Sequence, residues 1–327
     1  MRTMLKRSVR ARGLATLPTL QRKAVDFASK PVKSVAADAP ISAALSEMSS
    51  GGFGAMLVSD GGQPQGILTE RDFLLKTPKD GDLTGAKVGD MMTPAAKLTY
   101  ASPDMPLDEC LATMLRGGFR HLPVGSSSGV DAMLSMRDIL RAAVSDGVPL
   151  SPLTVGDIFV ENQRAGHAAL DGMLEKKIGA LTYGVVEVPL KSPVSIAVEL
   201  MRERKVGSVV APTMGPTIAE SAGAFGIFTE RDYVKALAGG SAGGSFDAQT
   251  TPIEERMTSS SKLLWVEPSC GMMAAIALMA EKGIRHLPVR KSQTWLHRPG
   301  FGVRGPEPTT LFSVLSMREL CSHLLPQ

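Results

Sequence analysis

Apolar residues recur along this chain in one order: a helical stripe, two short apolar runs divided by a turn, then a second helical stripe. Ile41, Ala44, Leu45 and Met48 have the spacing of one helix face. Ala55-Met56-Leu57-Val58 reads as a strand, Gly61-Gly62 and Pro64 as a turn, and Gly66-Ile67-Leu68 as a second strand. Asp72-Phe73-Leu74-Leu75 opens another helix. The order then repeats. Leu107, Leu111, Met114 and Leu115 line a helix face, His121 to Val124 is a strand, and a Ser-rich turn at 126–128 leads to a strand at Met133-Leu134. Ile139 and Leu140 open the closing helix. Helix–strand–strand–helix units of this kind predict an α+β fold of short sheets covered by helices.

The second half repeats the first in letters as well as pattern. Gly66-Ile67-Leu68-Thr69-Glu70-Arg71-Asp72 returns 160 residues later as Gly226-Ile227-Phe228-Thr229-Glu230-Arg231-Asp232. Arg120-His121-Leu122-Pro123-Val124 returns as Arg285-His286-Leu287-Pro288-Val289, and Met92-Thr93 as Met257-Thr258. Met133-Leu134-Ser135-Met136-Arg137-Asp138 returns as Val314-Leu315-Ser316-Met317-Arg318-Glu319. Self-similarity at a fixed offset marks a duplicated module. The chain therefore holds four units in two pairs, an odd unit and a differently built even unit in each. Residues 32–146 form the first pair (units 32–78 and 87–146), 147–182 a linker, and 183–324 the second pair (units 183–238 and 252–324). The second pair carries an insertion at 291–308. The Gly/Ser-rich stretch 238–245 is expected to be flexible, and 168–178 is a candidate helix.

Charge changes the picture at one end. The formal net charge of +4 comes from 36 basic and 32 acidic residues. Residues 1–25 hold seven of the basic ones and no acid. Without those seven, 29 bases face 32 acids, so the body is net −3 and offers no case for nucleic-acid binding. The basic start fits a solvated tail, a nucleic-acid arm or a transit peptide. Arg2, Lys6 and Arg10 make a cationic helical stripe, and Arg12-Gly13-Leu14-Ala15 has the look of a mitochondrial processing site. We read residues 1–25 as a mitochondrial transit peptide, with plastid or cytoplasm as alternatives. No apolar run approaches the ~20 residues of a membrane helix. Cys110, Cys270 and Cys321 form no CxxC and read as small buried residues in a reducing compartment. The histidines have no metal spacing, and there is no P-loop or nucleophile elbow.

Candidate chemistry gathers at the repeated strand-to-helix turn. Thr69 and Asp72, like Thr229 and Asp232, have the spacing of a capping box. The same grouping suits a sugar–phosphate, because a carboxylate accepts from ribose hydroxyls and a helix start attracts anions. One threonine can serve both ends. Arg120-His121 and Arg285-His286 occur only in the even units, where the odd units carry Phe53-Gly54 and Val206-Gly207. Arginine forks onto phosphate oxygens, so these four are the candidate phosphate ligands.

These residues carry a family resemblance. The four units resemble CBS domains, named after cystathionine β-synthase, and each pair resembles a Bateman module. The motif is Gly-hydrophobic-x-Thr-x-x-Asp, at Gly66 to Asp72 and Gly226 to Asp232. The even units depart from it. Ala132 and Ser313 replace the glycine, Ser135 and Ser316 keep the hydroxyl, Asp138 keeps the acid, and Glu319 replaces it in the fourth unit. The resemblance implies adenosyl ligands (AMP, ADP, ATP or S-adenosylmethionine) in clefts between the two units of a pair. Ribose would be held by Thr69, Asp72, Ser135, Asp138, Thr229, Asp232 and Ser316, and phosphate by Arg120, His121, Arg285 and His286. Adenine would pack near residues 97–100 or 262–266. Two pairs in tandem are similar in layout to the gamma subunit of AMP-activated protein kinase and resemble organellar stand-alone CBS-pair proteins, some of which regulate thioredoxins. The expectation is a non-catalytic sensor acting on a protein partner, thioredoxin-like or another metabolic enzyme, with no catalytic cofactor, no membrane or nucleic-acid partner, and homodimerisation open. The alternative is a scaffold whose nucleotide sites are vestigial.

Overall fold

The described residues open with two short 3-10 segments, Pro18–Gln21 and Ala24–Asp26. The computed structural model describes residues 18–145, 154–155, 185–212, 225–241, 246–291 and 310–325. Expectations placed on residues 1–17, on the helix at 168–178 and on 292–308 lie outside the described residues.

Unit 1 consists of β1 (Ser34–Val35), α1 (Ile41–Gly51), β2 (Ala55–Asp60), β3 (Gln63–Thr69) and α2 (Glu70–Lys76). A short α3 (Val88–Met91) and β4 (Thr93–Pro94) follow. Unit 2 is α4 (Leu107–Gly117), β5 (His121–Ser126), β6 (Gly129–Ser135) and α5 (Met136–Ser145). Unit 3 is α6 (Val194–Arg204), β7 (Ser208–Pro212), β8 (Phe225–Thr229) and α7 (Glu230–Ser241). Unit 4 is α8 (Met272–Lys282), β9 (His286–Lys291), β10 (Thr310–Ser316) and α9 (Met317–Ser322). The fold is α+β. The helical spacing of α1 is borne out: Ile41, Ala44, Leu45 and Met48 are all buried.

Each unit builds one antiparallel hairpin and adds one parallel contact at its edge. In unit 1, Leu57 faces Ile67 across the hairpin and Ser34 pairs with Leu57 in parallel. The parallel contact recurs as Ala101 with Val124, Glu187 with Val210 and Val266 with Val289. In the odd units a further strand or bridge closes over the motif glycine: Ile67 pairs with Thr93, and Ile227 with Thr258. A side chain at Gly66 would collide with the Thr93 carbonyl, and one at Gly226 with the Met257 side chain. Unit 2 carries the equivalent bridge from an earlier segment, Met133 with Ser29, beside Ala132 in place of the glycine. The first helix of units 1, 2 and 4 ends on a left-handed glycine (Gly52, Gly118, Gly283), and unit 3 uses Lys205 at φ 54° instead.

Helices join units of the same kind. α1 packs on α7, and units 1 and 3 share a core that includes Leu45, Phe73, Met201, Phe228 and Tyr233. α5 packs on α8, and units 2 and 4 share another that includes Leu111, Ile139, Ile276 and Leu320. Full burial of side chains this size is worth about 1.5–3 kcal/mol each, so both layers hold the pairs together. Within the first pair the units meet through β3 and β6.

Two expectations change. The leader boundary at residue 25 does not hold, since Thr19, Leu20 and Ala24 are buried. Ala24 N donates to Met105 O and Leu107 N to Arg22 O, so residues 18–29 complete unit 2. Composition misled here because Arg22 and Lys23 are folded-body residues: Arg22 stacks 4.6 Å from the Phe27 ring, and Lys23 pairs with Asp104 at 2.6 Å. Residues 154–155 make the same kind of contact in the second pair, where Thr154 bridges to Gly271 and Val155 N donates to Cys270 O. The stretch expected to be flexible from 238 is helical as far as Ser241. The bare α-carbon of Gly240 lets Phe246 pack close. No helix among the described residues is long and apolar enough to cross a membrane.

Candidate functional site

Each hydroxyl–acid turn sits where a strand hands over to a helix, so capping fixes its geometry first. Thr69 accepts from Asp72 N at 3.3 Å, and Asp72 Oδ2 accepts from Thr69 N at 2.9 Å and from Thr69 Oγ1 at 2.6 Å. Asp232 Oδ2 accepts from Thr229 N at 3.0 Å and Oγ1 at 2.7 Å, and Asp138 Oδ2 from Ser135 N at 2.9 Å and Oγ at 2.6 Å. Ser316 accepts from Glu319 N at 3.2 Å, and Glu319 reaches back to Ser316 N at 2.7 Å. The hydroxyl-to-carboxylate bond of the other three turns is not made in this fourth one, where the acid is one methylene longer.

The remaining carboxylate oxygens differ. Asp72 Oδ1 accepts from Thr93 Oγ1 at 2.9 Å and pairs with Lys76 Nζ at 3.0 Å. With about four acceptor positions on a carboxylate, Asp72 is fully engaged. Asp232 Oδ1 has no hydrogen-bond partner among the described residues. Ala236 stands where the first module has Lys76. Burial pushes the Asp232 carboxyl above its ordinary value.

The middle residues of the motif, which the sequence reading left without a role, cross between modules. Glu70 and Glu230 are each 2 % exposed. Glu70 accepts from Arg231 Nε at 3.1 Å and from Arg285 Nη1; Glu230 accepts from Arg120 Nη2 and lies 3.5 Å from Arg71 Nε. Arg71 also donates to Gly118 O at 3.2 Å, and Arg231 to Gly283 O at 3.4 Å, each closing the helix end of its even partner, where a cation is favoured. The identical Glu-Arg letters in both copies were the available signal, but partners 110 and 215 residues away are invisible in a local pattern.

One cleft brings the first pair's candidates together. It has a volume of about 200 Å³ and is lined from unit 1 by Thr69, Arg71 and Asp72 and from unit 2 by Phe119, Arg120 and His121. Lys97, Leu98 and Thr99, in the stretch expected near adenine, line it too. His121 and His286 are held neutral, with pKa values lowered to about 3 by burial and by neighbouring arginines. A neutral ring still donates one N–H. Burial lowers the Arg285 guanidinium to about 10, which leaves it charged at pH 7. His286 packs on Gly207 and His121 on Gly54, positions where a side chain would sit about 3.0–3.1 Å from the ring. The Ser135–Asp138 and Ser316–Glu319 turns lie outside the residues lining this cleft.

A larger cavity, about 560 Å³, lies between units 1 and 3, lined by residues 80–87 and by Leu237 and Phe246. Of its four aspartates, Asp80, Asp82 and Asp247 accept from the amides of Asp82, Thr84 and Gln249, and Asp38 is the fourth. It gathers none of the repeated motif residues, so size does not make it the site. Among the described residues no group of His, Cys, Asp and Glu is arranged to hold a metal ion. The buried thiols of Cys110 and Cys321 have raised pKa values, up to about 12 for Cys110, as expected of inert core residues.

Known proteins share this architecture. A CBS domain model matches residues 24–77 and 88–145. The mitochondrial CBS domain-containing protein CBSX3 of Arabidopsis thaliana is 35% identical over 107 residues, which is 32% of this chain and 52% of that protein. The chain thus spans about half the length of that curated relative. A 17.7 kDa protein of Acidianus ambivalens is 33% identical over 122 residues, covering 37% of this chain and 72% of its own. A crystal structure from Methanocaldococcus jannaschii, described as an archaeal homologue of g-AMPK, aligns with 93% of this chain and 100% of its own at a TM-score of 0.65. At 14% identity that likeness is one of fold. With its repeated helix–strand–strand–helix units and the family motif in each pair, the chain belongs to the CBS-domain family as a CBS-pair protein.

Proposed function

We propose that this protein is a non-catalytic regulator that binds an adenosine-containing ligand (AMP, ADP, ATP or S-adenosylmethionine) in the clefts of its two CBS pairs and thereby modulates a protein partner. One observation carries the reading. A single cleft combines the Thr69–Asp72 turn, whose Oδ1 a ribose would take over from Thr93 and Lys76, with Arg120 and His121 suited to phosphate and the apolar walls of Leu98 and Phe119 suited to a base. About 200 Å³ is below the ~300–1,000 Å³ of typical drug-sized sites, which favours a mononucleoside over a dinucleotide. The two copies of Thr-x-x-Asp are the principal ribose candidates, Ser135 and Asp138 the next, and Ser316 the weakest because of Glu319. Residues 32–146 and 183–324 act as the two ligand-binding pairs. The acid-free basic start supports mitochondrial import, as does the mitochondrial designation of the Arabidopsis relative.

A thermal-shift series on the full chain with adenosine, AMP, ADP, ATP and S-adenosylmethionine tests this reading. Ligand at 100 times its dissociation constant adds about 2.7 kcal/mol to stability, a clear rise in Tm. A flat response to every ligand would overturn the sensor and leave the scaffold. The scaffold has its own support, since Thr69, Glu70, Arg71 and Asp72 all have partners inside the protein.

A further inference from the structure

The residues best placed to take a ligand's phosphate are already held by carboxylates. Arg120 lines the first cleft, yet its guanidinium is bound by Glu230 of the other module. Arg285, its counterpart in the second pair, is bound by Glu70. Each glutamate is buried, at 2 % exposure, and sits in the first turn of a helix whose N-cap threonine belongs to the candidate ribose turn.

We propose that Glu230 and Glu70 are built-in competitors for ligand phosphate, and that a phosphate reaches Arg120 or Arg285 only by displacing the glutamate of the opposite module. The inference rests on the adenosyl reading of the clefts. A carboxylate and a phosphate oxygen offer the guanidinium the same charge-assisted hydrogen bonds, so one can replace the other on Arg120. The two contests are unequal. Glu70 has both oxygens engaged, one by Arg231 Nε and one by Arg285 Nη1. Glu230 holds Arg120 through Oε2 alone, and its Oε1 is buried without a hydrogen bond, 3.5 Å from Arg71 Nε. A buried carboxylate with an unsatisfied oxygen is the less secure partner, so phosphate takes Arg120 more readily than Arg285. Because each ion pair also ties one module to the other, a phosphate-bearing ligand loosens the contact between pairs. A ligand carrying the same adenosine without phosphate leaves it intact. Glu230 and Glu70 thus set both how the clefts rank ligands and how occupancy of one is felt by the other.

Calorimetric titration of the full chain with adenosine and with AMP tests this, using the wild type, Glu230→Gln and Glu230→Asp. The glutamine removes the competing charge, and the aspartate draws it back by one methylene. AMP affinity is expected to rise about tenfold or more in both variants, with adenosine unchanged. Should the variants fail to fold, hydrogen exchange on the wild type reads the same step, with AMP but not adenosine speeding exchange in the first turn of α7. AMP binding that ignores both substitutions, a gain shared equally by adenosine, or exchange that AMP leaves untouched would each overturn the competitor role alone. If neither ligand binds any form of the chain, the adenosyl reading beneath it falls as well.

Discussion

The two odd units carry the same Thr-Glu-Arg-Asp letters and use them differently. In unit 1 the candidate ribose acceptor is closed, because Thr93 and Lys76 engage Asp72 Oδ1. In unit 3 it is open, with Asp232 Oδ1 unpartnered among the described residues. The phosphate end is reversed. Arg120 in the first cleft is held by a glutamate with one unbonded oxygen, whereas Arg285 in the second is held by one fully bonded. A duplicated motif has therefore left one candidate acceptor open at Asp232 and one candidate phosphate ligand less firmly held at Arg120. Identical sequence at a site does not make identical sites when the neighbours differ.

The largest test of this contrast removes the glutamates. Stripping one partner from a buried ion pair costs about 3–5 kcal/mol. Glu70→Ala should lose that much in urea denaturation, because it takes the carboxylate from both Arg231 and Arg285, while Glu230→Ala should lose less. Equal losses would erase the asymmetry. Next is the ribose end. Asp232→Ala should weaken adenosine binding in the second pair by about 10–100-fold, the worth of hydrogen bonds to a charged acceptor. Asp72→Ala should mainly lower stability, by about 1–2 kcal/mol for its cap. Finding the larger binding loss at Asp72 would reverse the assignment of open and closed acceptors.

A separate test concerns pH and treats the modules alike. His121 and His286 stay neutral down to about pH 3, whereas an unfolded histidine protonates near 6.5. Between those values the unfolded chain binds more protons, so stability falls as pH drops through the window, by at most about 1.4 kcal/mol per pH unit for each histidine. Replacing both with glutamine should flatten the slope of urea midpoint against pH; a slope that persists would show that other groups govern it. The smallest effect is at Lys76, which is partly exposed. Lys76→Met removes one of the two partners of Asp72 Oδ1 and should raise adenosine affinity in the first cleft by a few-fold at most, in line with about 0–1 kcal/mol for such an ion pair. No change would mean that Thr93 alone keeps the acceptor closed.

Much of the fold was legible because repeated units repeat their apolar spacing, and α1 with its hairpin follows directly from Ile41 to Leu68. The hydroxyl–acid turns were legible as caps, since capping is local. Three features were not. Glu70 and Glu230 find partners in another module, and nothing in the first turn of a helix announces a contact that distant. The closed state of Asp72 depends on Thr93, which arrives on a later strand. The role of residues 18–25 was hidden because buried Leu20 and Ala24 are too few to make a period, while seven bases dominate the composition of the first 25 residues.

Those early residues have a wider consequence. Residues 18–29 complete unit 2 from the far side of unit 1, and 154–155 reach unit 4 from the far side of unit 3. Each odd unit is thus an insertion within its even partner rather than a bead ahead of it. A protease cut between the units of a pair leaves part of the even unit on the wrong fragment. During synthesis, an even unit must wait with its first segment made until the whole odd unit has emerged.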